Sequence, residues 1–257
     1  MIKNDYCPSC ASINFEKWDG DFLKCKNCEI VFRAFFPDDE ELNDIYKDYY
    51  SAKNISQKQT NMVSDNTAIE NQVKFIKRIV PPQGRVLDFG SGTGELVSLL
   101  KAEGFEVDGC EFSEGARHEA DTKYGLDLYP TLDELKTNEY DLITAIEVIE
   151  HLAQPVDYIK RLRALLRDKG MLYLTTPNSN GLKARLKRSK WEEAEKPFHL
   201  LFFNFESIKH LLKDSGFNDV RYIKYSAMTT KSRKKVFIHR ILQSFNLYGG
   251  LRVIGVK

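Results

Sequence analysis

Three groups of residues in this chain have types and spacings that could do chemistry. Cys7-Pro8-Ser9-Cys10 and Cys25-Lys26-Asn27-Cys28 are two C-x-x-C pairs separated by fourteen residues. Two tight turns at that spacing can gather four thiolates around one tetrahedral ion, so Cys7, Cys10, Cys25 and Cys28 read as a structural zinc site with no coordination position left open. Unligated cysteines or a redox pair are the competing reading, disfavoured because duplicated pairs seldom arise without a metal. The second group is Asp88 with Gly90, Gly92 and Gly94, where an apolar run, Val86 to Phe89, enters a glycine-dense turn. Glycines there let the backbone approach a ligand, and the helix from Glu95 presents unpaired amides. The third is Glu147-Val148-Ile149-Glu150-His151, with a later imidazole at His199. Positions i, i+3 and i+4 share a helical face, so Glu147, Glu150 and His151, joined by His199, could hold a divalent ion such as magnesium. The same histidines could instead act as a metal-free general base, or the run could simply cap a turn.

The glycine turn does not fit a dinucleotide. Counting from Gly90, the third glycine of G-x-G-x-x-G would fall on Glu95. Asp88 instead suits a ligand carrying an ammonium group. Glu111, at the end of a second strand from Phe105 to Cys110, is placed to accept hydrogen bonds from two ribose hydroxyls.

Elements to position these groups follow in regular alternation: strand 85–89, helix 94–103 stopped by Gly104, strand 106–111 and helix 113–124 stopped by Gly125. A short strand near 127–129, a strand 140–145, a helix 155–167 and a strand 171–175 come next. Helix 204–215 then leads to strands 220–227 and 251–256. This βα rhythm predicts an α/β fold: a Rossmann-like doubly wound, mostly parallel seven-stranded sheet with a final antiparallel pair, plus a small amino-terminal zinc ribbon. The expected layout is a ribbon over 1–36, a helical lid or linker over 37–83, and the catalytic domain over 84–257. Within the linker, an acidic helix carrying Tyr46, Tyr49 and Tyr50 precedes a polar loop over 53–65. A helix bearing Ile69, Val73, Ile76 and Val80 follows.

Asp88, the glycine turn, Glu111 and the strand-helix alternation together resemble the class I S-adenosylmethionine-dependent methyltransferases. The resemblance implies that the turn holds the methionine portion and Glu111 the ribose. Ribbon, Pro-Asp turn and Tyr-rich helix are similar to the leader of bacterial methyltransferases found with surface-polysaccharide enzymes. That likeness implies O-methylation of a small hydroxylated acceptor such as a sugar or nucleotide sugar. The E-x-x-E-H run with a later histidine resembles the magnesium site of small-RNA 2′-O-methyltransferases, and its first part resembles the metal motif of ubiquinone-pathway O-methyltransferases.

An RNA methyltransferase gripping its substrate with the ribbon is the main alternative, and a non-catalytic binding module a third. A net charge of +1 over 257 residues and balanced charges in residues 1–35 argue against nucleic acid. Two basic runs stand out. Lys183, Arg185, Lys187, Arg188 and Lys190 could face acceptor phosphates or form a solvated face. Lys231, Arg233, Lys234, Lys235 and Arg240 precede an apolar stripe over 236–247 that could pack in the core or touch a membrane surface. No apolar run is long enough to span a bilayer and the start reads as no signal peptide, so a cytoplasmic protein is expected. Cys110 reads as a small buried apolar residue.

Overall fold

The computed structural model describes residues 1–38, 40–41, 62–224 and 241–257. Its centre is a sheet of six strands: β6 (Arg85–Phe89), β7 (Glu106–Cys110), β8 (Tyr140–Ile146), β9 (Leu166–Pro177), β11 (Asp219–Tyr222) and β12 (Gly250–Val256). Their order is β11-β12-β9-β8-β6-β7. The pairs β6/β7, β6/β8 and β8/β9 are parallel, while β12 runs antiparallel to both neighbours. The chain steps from β6 to β7 on one side and returns to β8 on the other. The ends of β6 and β8 therefore form a switch point, where ligands bind in such sheets.

Successive strand residues face opposite layers. Val86 and Leu142 join one core cluster with Val73 and Ile76 of α1 (Met62–Ile79), Val97 of α2 (Glu95–Ala102) and Ala120 of α3 (Glu114–Tyr124). Leu87 and Ile143 join the other cluster with Ile159 of α4 (Pro155–Leu165) and, past the short α5 (Leu182–Lys187), Leu211 of α6 (Phe205–Asp214). Two α-helix starts among the described residues carry a side-chain cap of a type legible in the sequence. Ser113 accepts from Ala116 N, and Asn204 forms a capping box with Ser207.

The expected seventh strand is reduced to one parallel bridge between Cys110 and Tyr129. Pro130 follows at once and has no N–H with which to extend the ladder. The helix expected to reach Arg167 stops at Leu165, and β9 begins directly at Leu166. Arg167 there pairs with Asp141 of β8. Helix α1 starts at Met62, earlier than the loop expected over 53–65 allowed. Residues 53–61, the tyrosines Tyr46, Tyr49 and Tyr50, the second basic run and residues 225–227 of an expected strand lie outside the described residues. At the carboxyl end of the apolar stripe, Ile241 and Phe245 are exposed. Just beyond them, Asn178 Nδ2 donates to the carbonyls of Asn246 and Tyr248. No helix among the described residues is long and apolar enough to cross a membrane.

The amino-terminal cysteines do not sit on a detached module. Strands β2 (Phe15–Asp19), β3 (Phe22–Cys25) and β4 (Val31–Arg33) continue into β10 (Leu201–Phe202), a strand contributed from 160 residues and more downstream. A separate pair, β1 (Ile2–Lys3) with β5 (Phe35–Phe36), closes the amino terminus. Cys7, Cys25, Cys28, Ile30 and Phe32 share a core cluster with Ile149, Leu200 and Phe203.

Candidate functional site

The glycine turn takes the conformations its sequence implies. Gly90, Gly92 and Gly94 have φ of 73°, 54° and 79°, the left-handed region that a side chain disfavours. A Cβ on Gly90 would also stand 2.5 Å from Val148 Cγ2. Asp88, at 4 % exposure, accepts from Thr144 Oγ1 at 2.6 Å on one oxygen and has no cation partner among the described residues. Burial pushes its carboxyl up to about 7, against the Thr144 bond, and the nearby Glu111 adds to the rise. Glu111 accepts Gly92 N–H at 2.9 Å and Ser113 N–H at 2.8 Å, so it ties the turn to the end of β7. Burial raises its carboxyl and the two amides oppose that.

Of these groups Asp88 and Gly90 border a cleft walled also by Ile69 and Gln72 of α1, Thr93 and Ile146. The residues present fit S-adenosylmethionine. A buried carboxylate without a cation suits the ligand's ammonium, and each Glu111 oxygen keeps a lone pair for a ribose hydroxyl. Sequence reading missed one member of this wall, Gln72, and one residue behind it, Thr144, which donates to Asp88. Thr144 was visible as a hydroxyl inside an apolar strand. Gln72 was visible as an amide on the apolar stripe of α1, and it accepts from Tyr173 Oη at 2.7 Å.

Beyond β8 the expected helical face does not form. Glu147 has φ of 54°, and only a 3-10 turn, Ile149–His151, follows. Glu147 is exposed and accepts from Thr175 Oγ1 at 2.9 Å, and it is not one of the residues whose ligand atoms converge. Glu150, His151 and His199 do converge, with one ligand atom from each within 4.8 Å of the others. Glu150 is 1 % exposed. Thr176 Oγ1 donates to its Oε2 at 2.9 Å, while its Oε1 is buried with no hydrogen-bond partner. Burial, then the neighbouring Glu147, raises its carboxyl well above the usual range.

His151 Nδ1 donates to Phe198 O at 3.0 Å, because a carbonyl can only accept, and the ring's lone pair therefore lies on Nε2. His199 is 3 % exposed and its Nδ1 makes no hydrogen bond; Glu193 Oε2 lies 3.5 Å away without hydrogen-bond geometry. Burial, then His151, pushes it down to about 2, so it is neutral at physiological pH. One carboxylate and two imidazoles with two orphaned donor atoms fit a borderline divalent ion better than magnesium, which prefers oxygen ligands.

His199 is held by the amino-terminal unit. Arg33 Nε donates to His199 O at 2.9 Å, and Nη2 donates to Ala194 O and Lys196 O at 2.8 and 2.9 Å. A planar fork satisfying three carbonyls cannot be reproduced by lysine. In that unit Cys7 and Cys28 Sγ lie 3.6 Å apart, as do Cys10 and Cys25, and all four sulfurs lie within 4.8 Å of one another. Ala11 and Glu29, each following the second cysteine of a pair, both take left-handed φ, 54° and 62°. Their amides close each turn onto Cys7 O and Cys25 O. The Cys7 thiol and burial push the Cys28 thiol far up, a crowding that a dication among the sulfurs would relieve. Cys110 is fully buried.

A family model described as a methyltransferase domain matches residues 64–222. The chain is similar to the ubiquinone biosynthesis O-methyltransferase of Coxiella burnetii (strain Dugway 5J108-111), with 32% identity over 118 residues, 42% of this chain and 50% of that protein. It is similar to the Bradyrhizobium diazoefficiens protein of the same name, with 33% identity over 103 residues, 37% of this chain and 41% of that one. The chain thus spans about half the length, or less, of these curated relatives. Among solved structures it resembles a SAM-dependent methyltransferase from Archaeoglobus fulgidus, with TM-score 0.55, 21% identity, and coverage of 74% of this chain and 94% of the other. It also resembles Haemonchus contortus phosphoethanolamine N-methyltransferase 2 in complex with S-adenosylmethionine. There the TM-score is 0.62 and the identity 18%, over 88% of this chain and 61% of the other. At those identities the likeness is one of fold.

Proposed function

Because the chain belongs to the methyltransferase-domain family, we propose that it is an S-adenosylmethionine-dependent O-methyltransferase acting on a small hydroxylated acceptor, with a structural zinc at Cys7, Cys10, Cys25 and Cys28. The observation that carries the choice of oxygen is the cluster after β8. An amine acceptor needs only its free base, whereas a hydroxyl needs a group that takes or weakens its hold on a proton. Glu150, His151 and His199 offer one buried carboxylate and two imidazoles for that task. Sugars and nucleotide sugars come first among acceptors, on the resemblance of the amino-terminal layout. The RNA alternative loses support because Lys183 and Lys187 are both drawn to Glu192, so the first basic run has less free charge than its sequence implies.

In this reading Asp88 binds the ligand's ammonium, oriented by Thr144, and Glu111 holds the ribose. When bound, the cofactor would supply an electrophilic methyl group on a sulfonium, toward which the residues after β8 would present the acceptor oxygen. A divalent ion held by Glu150, His151 and His199 would lower the hydroxyl pKa by coordination. A second reading, favoured by the tautomer that the Phe198 carbonyl imposes, has His151 Nε2 take the hydroxyl proton directly.

The test is methyl transfer from labelled cofactor to a panel of nucleotide sugars, simple sugars and RNA, before and after chelation. Transfer to sugars that is lost on chelation with the cysteine-bound zinc retained, and restored by manganese or zinc, supports the metal reading. Transfer surviving chelation overturns that reading in favour of the histidine base. Transfer to RNA alone would overturn the small-acceptor proposal.

Asp88 gives a pH prediction. Pairing with an ammonium needs the ionised carboxylate, and burial raises its pKa to about 7. Binding is therefore strongest above that value and weakens as pH falls through it. Affinity for S-adenosylhomocysteine should drop about ten-fold between pH 8 and pH 6, while Asp88→Asn binds weakly with a flat profile. Calorimetry across that range checks this, and a flat profile for the parent protein would remove Asp88 from the ammonium contact.

A further inference from the structure

Where the amino-terminal unit meets the segment after β9, the chain forms a second pocket that methyl transfer as described does not use. Trp18, Lys24, Asn180, Arg185, Arg188 and Asn204 line it. Its walls are latched from several directions. Arg188 Nη1 donates to Trp18 O at 3.0 Å, and Ser189 donates to Asp19 Oδ2 from both N and Oγ, at 3.0 and 2.6 Å. The β2–β3 turn comes so close that a Cβ on Gly20, whose φ is 51°, would lie 3.2 Å from Ser189 Cβ. On the far side Ser179 N donates to Phe203 O at 2.8 Å, and Asn204 caps α6.

The charge inside is unbalanced. Lys24 is half-buried and Arg185 exposed, and neither side chain has a hydrogen-bond or ion-pair partner among the described residues. Arg188 spends one N–H on Trp18 and keeps others. The opposing charge is Glu29, which accepts from Asn204 Nδ2 at 3.2 Å. Three cations against Glu29 in the lining and Asp19 beside Arg188 leave positive charge in excess, and with amides and an indole alongside make a site for a compact anion. Guanidinium forks bind phosphate oxygens in pairs, an ammonium adds a point charge, and amides donate further hydrogen bonds.

The pocket also lies near the carboxylate-imidazole cluster. Thr176 donates to Glu150, and Ser179, three residues on, lines the pocket. Three residues reach at most about 10 Å even when fully extended. The segment that leads from His199 through β10 to Asn204 runs alongside, with an isolated parallel bridge between Asn178 and Phe203.

We propose that this pocket binds a phosphate-type anion, and that the anion is the phosphate end of the methyl acceptor, the second part resting on the methyltransferase reading above. The zinc-replete full chain is titrated by calorimetry with inorganic phosphate, pyrophosphate and uridine diphosphate, and each preparation is titrated separately with S-adenosylhomocysteine. Saturable binding is expected, with pyrophosphate and uridine diphosphate at least ten-fold tighter than inorganic phosphate. Arg185→Gln and Lys24→Gln should each weaken it about ten-fold, with Lys190→Gln, an exposed neighbour outside the pocket, unchanged. No saturable binding of any of the three anions, in protein that binds S-adenosylhomocysteine, overturns the pocket and leaves the methyltransferase reading standing. Undiminished binding in Arg185→Gln and Lys24→Gln overturns it too. Inorganic phosphate binding as tightly as uridine diphosphate overturns the link to the acceptor. Anion binding in protein that does not bind S-adenosylhomocysteine keeps the pocket and sinks the methyltransferase reading.

Discussion

His151→Ala is expected to slow methyl transfer by roughly 10²–10⁴-fold, the usual worth of a positioned acid-base or activating group, while leaving affinity for S-adenosylhomocysteine unchanged. The imidazole stands just past the end of β8, its Nδ1 proton committed to Phe198 O. Burial lowers its pKa, so the neutral ring with its lone pair on Nε2 is the resting form. Either role proposed for the cluster needs that nitrogen. Glu147→Ala is the internal contrast. Glu147 is exposed, its backbone turns left-handed, and its carboxylate bonds Thr175 rather than joining the converging set, so its loss should change the rate by only a few-fold. Single-turnover rates with labelled cofactor decide the matter. Comparable rates for His151→Ala and the parent would take His151 out of the chemistry, and a Glu147→Ala defect as deep as that of His151→Ala would restore the face that the sequence spacing suggested.

For Cys25→Ser the expected result is loss of the bound zinc, protease sensitivity across the first thirty or so residues, and a fall in methyl transfer of about 100-fold. Structural zinc in small modules contributes about 10–16 kcal/mol of apparent folding free energy at neutral pH, so one lost thiolate is enough to undo the local fold. Damage to activity follows from connectivity. Strand β4 pairs with β10, and Arg33 secures three carbonyls of the segment that delivers His199. Unravelling the cysteine unit therefore frees one imidazole of the cluster. The six-stranded sheet shares one core cluster with the cysteine unit but keeps the other, built with α1, α2 and α3, wholly to itself, and should keep its far-ultraviolet signature. Elemental analysis, limited proteolysis and the transfer rate are read together. Absence of zinc from metal-replete parent protein would refute the ion, and full activity in a zinc-free Cys25→Ser chain would refute the coupling.

Groups whose geometry is local were legible as residues. The glycines sit in a turn whose φ values only glycine takes easily, Ser113 and Asn204 cap the helices they precede, and each cysteine pair closes through its own backbone turn. The strand-helix alternation carried most of the sheet for the same reason, since apolar periodicity is a short-range signal. It overcounted by one strand because leucines at 126 and 128 are buried without a ladder, and Pro130 blocks the pairing. The spacing of Glu147, Glu150 and His151 misled because it assumed a helix. The backbone is left-handed at Glu147 and only a 3-10 turn follows, so the three residues do not share a helical face, and Glu147 is not in the converging set.

By itself, then, the sequence determined the glycine turn with Asp88 and Glu111, the four-cysteine pattern and the α/β class, all set by interactions within a few residues or one repeat. Only the tertiary structure decided that His199 meets Glu150 and His151, that Arg33 and β10 bind the cysteine unit to that cluster, and that Lys24 and Arg185 face one pocket. Those partners lie from about fifty to more than 160 residues apart. What brings them together is the burial of two shared cores and the register of a sheet built from both ends of the chain, which no local periodicity encodes.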